Sequence, residues 1–143
     1  MQHTEVLMGK FDFKHFAIVL AHGFVGWVLC MATMELGMQI TSQNNAFMIH
    51  LIAAPIFFLG LSLFYFTRFN YTTPFQTAAV FTITVVVLDF VVMAGLVLRS
   101  VDMFFSPGSI VGTWLPLTLI FVSTYLTGIT LHRSPRSSIP VNR

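Results

Sequence analysis

The chain of 143 residues carries few charged side chains: 8% of its residues are charged, whereas 56% are hydrophobic and 15% are aromatic. Soluble domains usually contain about 25% charged residues, so this composition excludes a water-soluble globule and predicts an integral membrane protein that contacts the lipid bilayer. The formal net charge is +2 and the basic residues are dispersed, which argues against nucleic-acid binding. The single cysteine, Cys30, excludes an intrachain disulfide and a multi-cysteine metal site.

Four apolar stretches are long enough to cross the hydrocarbon core as helices, which requires about 20 residues. They predict an all-α fold in one transmembrane domain, residues 1–143, with spans at about residues 13–36, 46–66, 75–98 and 110–131. The first stretch is longer than the apolar core of a signal peptide, so we expect it to remain as an anchor. Turn-forming residues separate the spans: Gln43-Asn44-Asn45, Asn70 to Pro74, and Ser106-Pro107-Gly108.

The third predicted span contains a β-branched run, residues 82–87, that would also suit a strand. Backbone hydrogen bonds in lipid must be satisfied within the segment, so we predict a helix. Pro74 suits the first turn of that helix, where its missing N–H costs nothing.

Basic residues are distributed unequally between the two sides of the predicted spans. Six of the seven Lys and Arg residues fall on one side, and only Arg99 falls on the other. The six are Lys10, Lys14, Arg68, Arg133, Arg136 and Arg143. Cytoplasmic loops are enriched in Lys and Arg, so this pattern predicts a multi-pass membrane protein with both termini cytoplasmic. Short connections favour an up-down four-helix bundle.

Asp89 follows Val85-Val86-Val87-Leu88 inside the third predicted span. The helical rise puts it roughly 13 Å inside the outer end of that span. A charged residue at the centre of a membrane helix costs about 2.5–3.5 kcal/mol on insertion scales, so such residues usually face a bundle interior, a cavity or a partner. Asp89 is therefore a candidate for binding a proton or a cation. Alternatively, a protonated Asp89 hydrogen-bonds to a neighbouring helix and joins a bundle or an oligomer.

Other polar residues are predicted near the outer ends of the spans. His50 lies roughly 6 Å inside the outer end of span two, and Glu35 lies close to the outer end of span one. With Asp89, these two residues are candidates for an ion- or proton-binding vestibule. Arg99 ends span three on that side, and Trp114 begins span four. A simpler interpretation of Glu35, Arg99 and Trp114 is that they reach the outer headgroups, with Trp114 as an interfacial residue.

A stripe of small or polar side chains follows span one at helical spacing: His22, Gly26, Cys30 and Thr33. Such a stripe is typical of close helix packing in lipid, and His22 is interpreted as a hydrogen-bonded residue of that face. A bis-histidine haem b is an alternative for His22 and His50, but the helical rise separates them by roughly 10 Å in depth. We therefore predict no cofactor and no metal site, with haem b left as the alternative.

Five strings resemble an uncharacterised family of small four-span bacterial inner-membrane proteins, over about residues 14–130. They are His22 to Trp27, His50 to Phe58, Phe69 to Pro74, Gly112 to Pro116, and Ser123 to Gly128. The resemblance implies four spans in the inner membrane and carries no cofactor-binding or catalytic motif. The chain differs from the small multidrug transporters, whose essential glutamate lies within span one, because Glu35 is at the end of its span.

Three functions are compatible with these features. The first is a non-catalytic subunit or packing partner in a larger membrane assembly or a homo-oligomer. The second is an oligomeric transporter or channel for small solutes, coupled to protons or cations through Asp89. The third is a b-type cytochrome subunit. The sequence contains no phosphate loop, nucleophile elbow or carboxylate dyad, so it offers no specific basis for an enzyme.

Overall fold

The structure is a computed structural model that describes residues 13–133. The described chain is helical and contains no strand. Four helices are long and apolar enough to cross a membrane, which confirms the predicted number of spans: Phe13–Ile40, Gln43–Arg68, Pro74–Val97 and Ile110–His132. Lys10, Arg136 and Arg143, which contribute to the predicted orientation, lie outside the described residues.

The third and fourth spans are each composed of an α-helical and a π-helical part. In chain order the elements are α1 (Phe13–Ile40), α2 (Gln43–Arg68), α3 (Pro74–Leu88), the first π segment (Asp89–Val97), α4 (Asp102–Phe105), the second π segment (Ile110–Trp114) and α5 (Leu115–Arg133).

The turn between α1 and α2 is shorter than predicted. Gln43-Asn44-Asn45 forms the first turn of α2 rather than the break between the helices. Ser42 is the reason, because it caps the helix: the backbone N–H of Asn45 donates to Ser42 Oγ at 3.4 Å. A capping hydroxyl satisfies a backbone donor that the helix itself leaves unpaired, so Asn residues directly after Ser42 can be helical.

The start of α3 agrees with the prediction, since Pro74 lies in its first turn. Thr73 caps this helix: Gln76 N–H donates to Thr73 Oγ1 at 3.3 Å, and Thr73 N–H donates to Gln76 Oε1 at 3.1 Å. This reciprocal capping box fixes the end of the loop that precedes α3. The β-branched run at residues 82–87 is helical, as expected.

The third span changes at Asp89 from an α-helix to the wider π-helix, and this change was not predicted. From Asp89 to Val97 the backbone is π-helical, and its last turn is closed by a bond from Leu98 N–H to Met93 O at 2.7 Å. Arg99 then adopts a left-handed backbone conformation with φ 51°, which ends the segment. π-helical turns are uncommon and frequently occur at functional sites.

The four long helices pack in a ring in which α1 and α5 each contact both α2 and α3. Glycines allow the closest approaches. A Cβ atom on Gly26 would lie 2.5 Å from Cζ of Phe58 on α2, and one on Gly128 of α5 would lie 2.6 Å from Cβ of Pro74. Phe58 itself is fully buried in the core. Small residues at such contacts let membrane helices approach closely.

These contacts define two ends of the molecule. The Ser42 end contains the turn between α1 and α2 together with residues 98–109, which join the third and fourth spans. The Asn70 end contains the loop between α2 and α3, and here Tyr65, Thr72 and Thr77 form a chain of hydroxyl groups. The Tyr65 hydroxyl lies 2.9 Å from Thr72 Oγ1, which lies 2.6 Å from Thr77 Oγ1.

Replacing Tyr65 with phenylalanine is expected to lower the free energy of unfolding by about 1 kcal/mol, since a buried hydroxyl hydrogen bond typically contributes that amount. Tyr125→Phe is the matched control, because the Tyr125 ring packs on Phe75 and Phe121 and no hydrogen bond of its hydroxyl is found among the described residues. Denaturant titration in detergent, followed by circular dichroism, measures both variants. Equal stability of the two variants would contradict a stabilising role for the hydroxyl chain.

Candidate functional site

A cavity of about 830 Å³ lies between the helices in the half of the molecule near the Ser42 end. All four spans and the loop at residues 106–109 contribute to its wall. Asp89 and His50 both line it, so the structure brings together two of the three residues that we considered as ion- or proton-binding candidates. Their actual binding of an ion or a proton stays a prediction.

Asp89 is held in place by a tryptophan of α1. Trp27 Nε1 donates a hydrogen bond to Asp89 Oδ1 at 2.7 Å. Because an indole N–H can only donate, Oδ1 acts as the acceptor in this bond. Trp27 and Asp89 both line the cavity and are only partly buried. The bond therefore ties α1 to the residue at which α3 widens into the first π segment, and it leaves the second carboxyl oxygen for other partners.

His50 and Cys30 lie beside this pair. The Cys30 side chain is buried and lies near Asp89, and the His50 ring lies close to the Cys30 backbone. Nδ1 of His50 is buried and has no hydrogen-bond partner among the described residues. Buried polar atoms are nearly always paired, so the unpaired Nδ1 is an exception in a residue whose side chain also lines the cavity.

The described wall of the cavity contains one carboxylate. Among the described residues that line it, Asp89 is the only Asp or Glu, and there is no Lys or Arg. Apart from the ionisable side chains of His50 and Cys30, the other polar side chains described at the wall carry no charge, and they include Gln43, Asn44 and Asn45 in the first turn of α2. An ionised Asp89 would make the cavity attractive to a cation and unfavourable for an anion.

The rest of the wall is apolar and unusually rich in methionine. Five methionines line the cavity: Met31, Met34 and Met38 from α1, Met48 from α2, and Met93 from the first π segment. Met31, Met34 and Met38 follow one another at helical spacing, which places them on one face of α1. Methionine side chains are flexible and polarizable, and they adapt to differently shaped partners.

Three residues that we predicted near the same side do not line the cavity. Glu35 is exposed and accepts a hydrogen bond from Gln39 Nε2 at 3.0 Å. Arg99 is exposed and lies beside a separate shallow depression that includes Gly95 and Ser100. Trp114 donates from Nε1 to the backbone oxygen of Phe104 at 3.0 Å, which ties the fourth span to α4. The location of Trp114 and Arg99 at a membrane interface stays a prediction.

Most residues of the small and polar stripe on α1 pack against α2 of the same chain. Gly26 contacts Phe58, and Cys30 is buried beside His50 of the same helix α2. His22 Nδ1 lies 2.7 Å from the Ile18 oxygen, and its ring stacks at 5.9 Å on the ring of Phe64. Thr33 Oγ1 donates to the Leu29 oxygen in its own helix. Three of the four stripe residues, His22, Gly26 and Cys30, therefore lie against α2.

His22 packs against a part of α2 that is far along the helix from His50, which itself belongs to α2. The His22 ring makes an edge contact with Tyr65, with ring centroids 5.6 Å apart. Tyr65 follows His50 on the same helix at a distance of roughly 22 Å along the axis, from the helical rise. The two imidazoles are therefore too far apart to ligate one haem iron. Within the described residues, no group of three His, Cys, Asp or Glu side chains is arranged to hold a metal ion.

Trp27 and the methionines are the site residues that the sequence analysis missed. Trp27 is 62 positions from Asp89 in the chain, and nothing in either local sequence indicates the pairing. A signal was nevertheless available for α1: Trp27, Met31, Met34 and Met38 recur at intervals of three or four residues, which is the spacing of one helix face.

Comparisons of the chain with protein-family models, with curated proteins and with solved structures find no match. The resemblance to small four-span bacterial proteins stays a prediction, and function is inferred here from the residues around the cavity.

Proposed function

We propose that this chain is a small membrane transport protein that binds a proton or a cation at Asp89. The observation that carries the proposal is the cavity, in whose described wall Asp89 is the single acidic residue and accepts a hydrogen bond from Trp27. Acidic residues inside membrane helices commonly mark ion pathways and proton relays. His50, which lines the same wall, would be a second proton-binding group.

The proposed topology is an up-down four-helix bundle in the bacterial inner membrane, with both termini cytoplasmic and the Ser42 end facing outward. The excess of basic residues on one side of the spans supports this orientation. We further propose that the chain acts as an oligomer, since the cavity near the Ser42 end is not by itself a path across the membrane.

Proton flux into liposomes tests the transport proposal. Purified protein is reconstituted, a potassium diffusion potential is imposed with valinomycin, and internal pH is followed with a trapped dye. We expect Asp89→Asn to abolish the protein-dependent flux. Asp102→Asn is the matched control, because Asp102 is exposed and does not line the cavity. Equal flux from wild type and Asp89→Asn would rule out this role for Asp89.

Reporter fusions test the orientation. Green fluorescent protein fused after residue 143 is expected to fluoresce, whereas alkaline phosphatase at that position is expected to be inactive. Alkaline phosphatase inserted after Pro107 is expected to be active, because that loop joins spans three and four on the outer side. The reverse pattern of activities would show that the positive-inside argument fails for this chain.

A second candidate function is that of a non-catalytic subunit, and Gly60 favours it. Gly60 lies on an exposed face of α2, and a Cβ atom there would meet no atom within 4 Å. Ile56 and Leu63 are exposed on the same face. A glycine on an outward face permits close approach of a helix from another chain. Native mass spectrometry of wild type and Gly60→Leu tests this candidate: loss of an oligomer or of a bound partner in the variant supports it, and unchanged assemblies contradict it.

A further inference from the structure

The cavity around Asp89 is much larger than a proton or a small inorganic cation requires. Its volume is about 830 Å³. Inorganic cations such as Ca²⁺ or Mg²⁺ are bound by several oxygen ligands at about 2.0–2.6 Å, whereas sites for drug-sized molecules have volumes of about 300–1,000 Å³ and mostly apolar walls. In size, the cavity matches an organic molecule.

The chemistry of the wall also favours an organic molecule. Two aromatic residues, Trp27 and Phe47, line the cavity together with the five methionines. Aromatic rings attract cations through their π-faces, and methionines can repack around ligands of different shape. A rigid, selective site for one metal ion would need fixed oxygen, nitrogen or thiolate ligands in place of this flexible apolar surface.

The charge of the cavity wall determines which sign of charge the ligand carries. Asp89 is the only acidic residue of the described wall, and no Lys or Arg balances it there, so the wall is negative when Asp89 is ionised and the His50 imidazole is neutral. Its Oδ1 accepts from Trp27, so the other oxygen can pair with a ligand charge. A strongly hydrated ion would lose its water shell on entering this apolar space at a large cost. A cation whose charge is spread over apolar groups avoids most of that cost.

We propose that the cavity binds a lipophilic organic cation, whose positive charge pairs with Asp89 and whose apolar groups contact the methionine and aromatic wall. The proposal rests on the proposed function, since Asp89 is the cation-binding residue in both. It adds the class of substrate that the cavity accepts.

Binding of tetraphenylphosphonium to the full chain in lipid nanodiscs tests the proposal, with empty nanodiscs subtracted. Tetraphenylborate is the matched probe, because it has nearly the same shape and the opposite charge. We expect wild type to bind tetraphenylphosphonium more tightly than tetraphenylborate by about tenfold or more, which corresponds to about 1.4 kcal/mol. Equal affinities for the two ions would overturn the proposal without the use of any variant.

Substitutions then assign the preference to one residue. Asp89→Asn is expected to weaken tetraphenylphosphonium binding by about tenfold or more and to remove the preference between the two ions. Asp89→Glu keeps the charge and should retain the preference, and Asp102→Asn should bind like wild type. Binding of tetraphenylphosphonium that is unchanged in a folded Asp89→Asn variant would overturn the proposal.

Combining this assay with the flux assay separates the two proposals. Asp89-dependent proton flux without tetraphenylphosphonium binding would overturn the substrate class and leave the transport proposal standing. Asp89-dependent binding of tetraphenylphosphonium without Asp89-dependent proton flux would support the binding site and overturn the transport proposal.

Discussion

Gly26→Leu is expected to destabilise the protein by about 3 kcal/mol or more, at the upper end of the cost of overpacking a core. A Cβ atom at this position would already lie 2.5 Å from Cζ and 2.8 Å from Cε1 of Phe58. The Phe58 ring cannot easily move away, because it is fully buried and packs edge-on against Phe81, with ring centroids 5.6 Å apart. The hairpin of α1 and α2 must therefore separate, and it would open contacts along both helices.

Gly60→Leu is the matched control for Gly26→Leu. Both glycines lie within long helices, but a Cβ atom on Gly60 would have no neighbour within 4 Å. Leucine has a higher helix propensity than glycine by almost 1 kcal/mol, so Gly60→Leu should be neutral or stabilising for the monomer. Thermal unfolding in detergent measures both. A Gly26→Leu variant as stable as Gly60→Leu would contradict the close contact between α1 and α2.

A double substitution tests whether Phe58 is the residue that makes Gly26 necessary. Phe58→Ala alone should destabilise the protein by about 3–5 kcal/mol, since it leaves a cavity in the core. Combined with Gly26→Leu, it should cost less than the sum of the single changes, because the leucine fills part of the space that the ring leaves. Additive costs would indicate that the two residues act independently.

Trp27→Phe is expected to weaken the binding of tetraphenylphosphonium by about tenfold or more. The substitution keeps an aromatic ring but removes the N–H that donates to Asp89 Oδ1 at 2.7 Å. Hydrogen bonds to charged groups contribute about 1.5–3 kcal/mol, and the loss of this bond leaves the carboxylate less stabilised and less well oriented for a cation. The affinity is measured in nanodiscs, as for the Asp89 variants.

Trp114→Phe is the control for this experiment, because Trp114 also donates one hydrogen bond but does not line the cavity. It should bind tetraphenylphosphonium like wild type. The chain has two tryptophans, so Trp27 is the only one left in this variant, and its fluorescence should fall when the cation enters the cavity. A Trp27→Phe variant with wild-type affinity, or no fluorescence change in Trp114→Phe, would contradict the assignment.

The number and the approximate limits of the spans could be predicted from the sequence because they depend on length and composition alone. In a bilayer, an uninterrupted apolar run of about 20 residues must form a helix to satisfy its backbone. The prediction of a turn at Gln43-Asn44-Asn45 was wrong, because the cap at Ser42 outweighs the turn preference of asparagine. The π-helical widening at Asp89 could not be predicted, since it depends on how the third span packs against the other helices.

The site was less predictable than the fold for a related reason. A soluble helix shows its buried face through amphipathic spacing, but the spans of this chain are apolar on nearly all sides. Asp89 and His50 could be found because they are polar residues in apolar runs, yet their direction around the helix axis could not. Glu35 and His50 are at similar predicted depths, but only His50 lines the cavity. The bond between Trp27 and Asp89 depends on tertiary structure alone.

The methionine wall gives this protein an internal set of spectroscopic reporters. Five of its eight methionines line the cavity, so carbon-13 labelling of methionine methyl groups would place most of the signals at the candidate site. Those five sit on three of the four spans. A single nuclear magnetic resonance titration would therefore show which walls a ligand contacts. The same spectra would report whether α1, α2 and the first π segment respond together or separately as the cavity fills.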